Sequence, residues 1–256
     1  MESAIVSMLG EMETAEDVRI IYACESGSRA WGFPSVDSDY DVRFIYVLST
    51  NAYLSIEDRK DVIEKPIKQG LDINGWDLRK ALQLLRKSNP PLLEWLGSPI
   101  VYLEKYTVAE RMRSLARTHF SPAACFYHYL HMARRSREAY DKDGPIPLKR
   151  YFYVLRPLLA LEWIDRGLGI APTDFNVLVD RLVEDPAMKR DISVLLDTKR
   201  KGDESTCTRP VASIGEFIDG ALSKWEQRGA SLPQNTPPLK QFDHVFRDCL
   251  EEVWRG

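Results

Sequence analysis

Hydrophobic positions in the first part of the chain come in short runs rich in β-branched and aromatic residues, separated by polar turns. Val18-Arg-Ile-Ile-Tyr-Ala-Cys24 and Tyr40-Asp-Val-Arg-Phe-Ile-Tyr-Val47 have the length and composition of strands. Asp61-Val-Ile-Glu-Lys65 and Gly70-Leu-Asp-Ile-Asn74 flank Pro66-Ile-Lys-Gln, which suits the connection of a hairpin. The period then becomes helical. Leu78, Ala81, Leu82 and Leu85 share one face, Asp77 stands where an N-cap belongs, and Asn89-Pro90-Pro91 stops the helix. Pro99-Ile-Val-Tyr102 adds an edge strand.

From about Tyr106 strand signals fade. Ser121-Pro122 and Asp185-Pro186 each open a helix, and Ser213-x-x-Glu216 reads as a capping box ahead of Phe217, Ile218, Ala221, Leu222 and Trp225. The expected fold is α+β, with a mixed-sheet domain over residues 1–105 followed by an all-helical domain over 106–256. Two polar stretches, Lys199 to Thr206 and Gly229 to Pro238, read as mobile surface loops.

Composition changes this picture little. Apolar residues make up 44% and charged residues 29%, as in ordinary soluble domains. The net charge of −3 excludes a general basic field, so a nucleic acid would dock on a local patch. No segment approaches the roughly 20 apolar residues that span a bilayer, and the N-terminus lacks a signal-peptide pattern, so no membrane contact and a cytoplasmic location are expected. Cys24, Cys125, Cys207 and Cys249 are scattered without a C-x-x-C pair and read as reduced structural thiols.

The chemistry concentrates in Glu25-Ser-Gly27-Ser28-Arg29-Ala-Trp-Gly32 and the following Asp37-Ser-Asp39-Tyr-Asp41. Gly27 and Ser28 end a strand, where small residues let backbone N–H groups approach a phosphate. Asp39 and Asp41 lie two apart at the start of the next strand, so both carboxylates are expected on one face, as a Mg²⁺ or Mn²⁺ site. Asp72, between Leu71 and Ile73, is the expected third carboxylate. Asp77 is its rival, with a helix to cap.

The order Gly-Ser, spacer, Asp-x-Asp, then a later strand acid resembles the DNA-polymerase-β-like nucleotidyltransferase superfamily. Gly27 to Gly32, Asp37 to Asp41, Gly75-Trp-Asp-Leu-Arg-Lys-Ala-Leu82 and Lys149-Arg-Tyr-Phe-Tyr-Val-Leu-Arg-Pro157 together resemble, more narrowly, the RlaP or YcgL-like family of predicted nucleotidyltransferases. That resemblance implies a metal-dependent transferase that moves a nucleoside monophosphate from a nucleoside triphosphate to a hydroxyl, and it suggests RNA repair, with an RNA end as one acceptor. A protein or small-molecule acceptor, and a non-catalytic nucleotide-binding or antitoxin-like module, remain alternatives. In this reading Asp39, Asp41 and Asp72 bind the metal and carry catalysis. Gly27, Ser28 and Arg29 hold phosphates, joined by Lys149 and Arg156, because three carboxylates and a triphosphate need further cations. Tyr151 and Phe152 are read as core.

Overall fold

The structure, a computed structural model, describes every residue except 58, 69, 142, 143, 204, 229–231, 233–236 and 256. In chain order the elements are α1 (Glu2–Ala15), β1 (Arg19–Glu25), α2 (Gly27–Ala30), β2 (Tyr40–Val47), α3 (Thr50–Tyr53), β3 (Val62–Lys68), β4 (Leu71–Asp77), α4 (Leu78–Arg86), α5 (Pro90–Leu96) and β5 (Val101–Glu104). There follow α6 (Val108–His119), α7 (Pro122–Glu138), β6 (Ile146–Pro147), α8 (Leu148–Asp165), α9 (Phe175–Leu182), α10 (Pro186–Lys201), β7 (Cys207–Thr208), α11 (Ala212–Arg228) and α12 (Leu239–Trp254). The fold is α+β, and the chain forms two compact units.

The first unit comprises Met1–Gly27, Asp39–Phe120 and the C-terminal segment that carries α12. Its sheet has the order β3-β4-β2-β1-β5. β2 and β4 are parallel, and the other neighbours are antiparallel. Val42, Phe44, Tyr46 and Ile73 share a buried cluster with Ile5, Leu9 and Met12 of α1. Toward α5, Tyr22 donates its hydroxyl to the Trp95 carbonyl at 2.6 Å, and Trp76 stacks on Trp95 at 3.8 Å. Cover on both sides is why β1 reads as a continuous apolar run rather than an alternation. Gly75 lies opposite Phe44 across the β2–β4 ladder, where a Cβ would meet the Phe44 ring at 2.1 Å.

Several boundaries depart from the sequence reading. β3 continues through Pro66 to Lys68, with a register shift between Lys65 and Lys68. Proline is tolerated there because β3 is an edge strand. Asn89 does more than stop α4, since its side chain accepts from Leu92 N at 3.2 Å and caps α5. Asp77 caps α4, accepting from Arg79 N at 2.8 Å. Arg111 pairs with Asp248 at 2.7 Å and ties α6 to α12.

The second unit comprises Ser28–Ser38 and the chain from Ser121 through α11. α8 runs through Pro157 and buries Tyr151, Phe152, Leu155 and Leu158, so Tyr151 and Phe152 are core. Phe33 stacks on Phe152 at 5.1 Å and meets Phe175 edge-on at 5.7 Å. The cations that end α10 hold the same segment: Lys199 donates to Ser35 Oγ at 2.5 Å and Arg200 to the Gly32 carbonyl at 2.9 Å. Lys199 is thus 1% exposed and helical, not the start of a mobile loop. Most of the other expected loop, Gly229 to Pro238, lies outside the described residues. The expected capping box is not formed, because α11 already begins at Ala212 and Ser213 donates instead to Asp191 at 2.5 Å. β6 and β7 add a two-residue ladder to the helices.

Candidate functional site

At the end of β1 the chain turns at Gly27, with φ +58°, close to where β2 begins. Ser26 N donates to the Asp41 carbonyl at 2.8 Å. A Cβ on Gly27 would lie 1.9 Å from Asp41 Oδ2, so the absent side chain makes the space that this carboxylate fills.

Asp41 is opposite Asp72 in the parallel β2–β4 ladder. Directly paired residues point to the same side of a sheet, and so does Arg43, two residues along β2. The Arg43 guanidinium joins the two acids, lying 3.1 Å from Asp41 Oδ1 and 2.7 Å from Asp72 Oδ2. It also donates to the Asp72 and Val42 carbonyls, each at 3.1 Å. Two carboxylates that converge on one cationic nitrogen form an oxygen-only donor set, which fits a hard divalent cation such as Mg²⁺ or Mn²⁺.

Asp39 is placed differently from the expectation. β2 starts at Tyr40, so Asp39 stands just outside the strand, exposed, and strand alternation does not set its direction. Its Oδ1 lies against the bare face of Gly70, whose carbonyl accepts from Tyr40 N at 2.8 Å. Among the described residues, no group of three or more His, Cys, Asp or Glu side chains closes into a metal site. The structure brings Asp41 and Asp72 together and leaves Asp39 at their flank. Asp77 is at the far end of β4, 4% exposed, where it accepts from Tyr53 Oη at 2.5 Å, and burial raises its pKa above the usual carboxylate range.

Two residues of this region carry no role in the sequence reading. Glu25 is fully buried, accepts from Asp41 N at 2.8 Å and receives the Tyr102 hydroxyl, and so fixes the backbone from which the Asp41 carboxylate projects. Arg43 is the other. Its signal is present in the alternation Asp41-x-Arg43 along β2, which puts a cation on the face of the acid. Cys24, opposite Arg43 on β1, is buried, and burial pushes its thiol up to about 12.

The remaining predicted residues lie in the second unit. Ser28 is buried in the α2 turn, and Arg29 donates to the Ser38 carbonyl at 2.8 Å, closing the segment between them. Lys149 is half-buried, its Nζ 5.5 Å from the Tyr153 ring centre. Arg156 is 2% exposed, with its guanidinium 4.5 Å from the Trp31 ring centre. Its Nε also donates to the Thr173 carbonyl at 3.4 Å. Among the described residues, no helix is long and apolar enough to cross a membrane.

The sequence profile of the family described as "RlaP: RNA repair pathway DNA polymerase beta family" matches residues 1–248. The chain is 46% identical over 256 residues to "Uncharacterized protein YcgL" of Bacillus subtilis (strain 168), an alignment that covers 100% of this chain and 98% of that protein. The crystal structure of a nucleotidyltransferase-like protein from Exiguobacterium sibiricum 255-15 aligns with 97% of this chain and 80% of its own, at 12% identity and a TM-score of 0.32.

Proposed function

Since this chain belongs to the RNA repair pathway DNA polymerase beta family, RlaP, we propose that it is a metal-dependent nucleotidyltransferase whose acceptor is the hydroxyl of an RNA end. The observation that carries the reading is the convergence of Asp41 and Asp72 on one guanidinium, beside a glycine that gives the Asp41 carboxylate room.

In the proposed reaction the acceptor oxygen attacks the α-phosphorus of a nucleoside triphosphate. A new O–P bond forms, the bond between the α-phosphorus and its bridging oxygen breaks, and pyrophosphate leaves with that oxygen and its electron pair. The acceptor's proton passes to Asp72. A Mg²⁺ or Mn²⁺ ion held by Asp41 and Asp72, with Asp39 beside them, would supply charge stabilisation and acidify the acceptor hydroxyl. Gly27 and Ser28 offer backbone N–H groups and a hydroxyl to the β- and γ-phosphates, and Arg29, next in sequence, offers charge. Glu25 keeps the Asp41 carboxylate aimed by accepting from its backbone N–H.

The test is incubation with each α-labelled triphosphate and Mg²⁺ or Mn²⁺, with separate pools of RNA and protein and an Asp41→Asn control. Label in the RNA pool, lost in the control, is the expected result. Label confined to the protein pool would move the acceptor to a protein hydroxyl, and no label in either pool would sink the transferase reading.

A further inference from the structure

Helix α4 carries a run of basic residues. Its sequence, LRKALQLLR, and the following Lys87 place Arg79, Lys80, Arg86 and Lys87 within ten residues that contain no acid, in a chain whose net charge is −3. Arg79, Gln83 and Lys87 are exposed and four residues apart, so they form one stripe along the helix. From Arg79 to Lys87 the stripe runs roughly 12 Å, longer than a single phosphate requires.

Beside the stripe, between α4 and α12, lies a groove of about 400 Å³. Arg79, Arg86 and Lys87 line it from one side, and Leu239, Asp243 and Phe246 from the other. Three cations thus face one acid. The Arg79 guanidinium sits over the rings of Phe246 and Tyr53, 5.5 Å and 4.8 Å from their centres. Arg79 is exposed, so its guanidinium, held beside these rings, remains accessible to phosphate oxygens. Phe246 is half-buried and Leu239 is 53% exposed, so the groove also offers flat apolar surface.

Cations in a row beside an aromatic ring match the two parts of an unpaired nucleotide strand, the phosphates and the base faces, whereas in a duplex the bases are already stacked. We propose that the α4–α12 groove binds a short single strand of nucleic acid, with phosphates on Arg79, Arg86 and Lys87 and a base against Phe246. The groove is separate from the carboxylates, since β4 alone spans roughly 17 Å between Asp72 and Asp77, which leads into α4. It therefore anchors the strand rather than the reacting end. The inference deepens the proposed reaction by giving its acceptor a docking site, and strand binding is measured without nucleotide or metal.

The test is fluorescence anisotropy of the full chain with a short labelled single-stranded RNA, a DNA of the same sequence and an RNA duplex, each titrated at several salt concentrations. The expected result is binding of single strands over duplex. Arg79→Gln with Lys87→Gln should weaken it about 10-fold or more and lower the salt slope by about two. Phe246→Leu, which keeps apolar bulk against α4, should weaken binding with the slope unchanged. Lys87→Gln alone, at an exposed position, reports on the groove even if the double variant folds poorly. Equal behaviour of RNA and DNA supports a groove that reads strand chemistry and not the sugar. Wild-type affinity and slope in the folded Lys87→Gln and double variants, or binding of the duplex alone, would overturn the inference. The wild-type chain separates the two readings: single-strand binding that is sensitive to the groove variants, in a wild-type protein that never labels RNA, would defeat the transferase and leave the groove standing, whereas RNA labelling without such binding would defeat the groove alone.

Discussion

The Arg43 guanidinium lies 2.7 Å from the Asp72 carboxylate, and the same nitrogen reaches Asp41. Without a cation between them, two carboxylates at paired positions of adjacent strands would repel each other. Arg43 supplies that charge, and an arriving divalent ion would compete with it.

Arg43→Gln should therefore lower the melting temperature of metal-free protein, by the equivalent of about 1–2 kcal/mol for two partly buried pairs. Added Mn²⁺ should restore it, with a larger upward shift than in wild type. Calorimetry with and without metal checks this. An unchanged Mn²⁺ shift in the variant would show that Arg43 and the ion do not share the carboxylates.

Asp41→Asn and Asp72→Asn should each reduce nucleotidyl transfer on the order of 10²-fold or more while the protein stays folded, because each removes a charged ligand from a partly exposed position and not a packing group. The assay is label transfer from the α-labelled triphosphate. Asp39→Asn should lose less, as its carboxylate stands outside the strand.

Gly27→Ala should abolish transfer at a stability cost of about 1–2 kcal/mol, since the new methyl group meets Asp41 Oδ2 and the backbone has φ +58°. Denaturant midpoint and activity, measured together, distinguish this displacement from simple unfolding.

Asp77 gives a pH signature. Burial raises its folded pKa above the unfolded value, so this group favours the folded state below the ordinary carboxylate pKa and loses that contribution as pH rises through the raised value. Asp77→Asn still caps α4 and has no charge to bury. The melting temperature of the variant relative to wild type should rise as pH increases from about 4 through the weakly acidic range, with transfer little changed.

Arg156→Glu should cost stability, because it buries an unpaired carboxylate against Trp31. Thermal melts of the variant beside wild type check this.

Much of the first unit is legible in the sequence. β2 runs from Tyr40 to Val47 as its apolar run predicts, and the cap that Asp77 forms on α4 is the reason to prefer Asp72 as the site acid. The face that Arg43 shares with Asp41 is legible in the alternation, but its pairing with both acids is not, and Glu25 is not legible as a site residue. Which acid an arginine joins depends on strand register, and a buried acid at a strand end looks like any other turn residue. The two later family blocks are largely architectural. Gly75 makes room for Phe44, Trp76 stacks on Trp95 and Asp77 caps a helix, while Tyr151, Phe152 and Arg156 are buried in α8. The stretch from Lys199 misleads because a run of charged and small residues predicts solvent exposure, whereas Lys199 turns inward to a hydroxyl of the segment that follows Gly27.

The chain leaves the first unit after Gly27, returns at Asp39, and comes back to it once more with α12. α12 contributes Phe242, Val245 and Cys249 to the interior, and its Asp248 pairs with Arg111. A fragment that stops near residue 105 would thus lack part of the sheet-bearing unit, and trimming the C-terminus would damage that unit and spare the helices that precede the cut. Separate expression of the two units calls for a rearranged chain: α12 joined back to the sheet by a linker, and a short bridge from Gly27 to Asp39 in place of the segment that Lys199 and Arg200 hold.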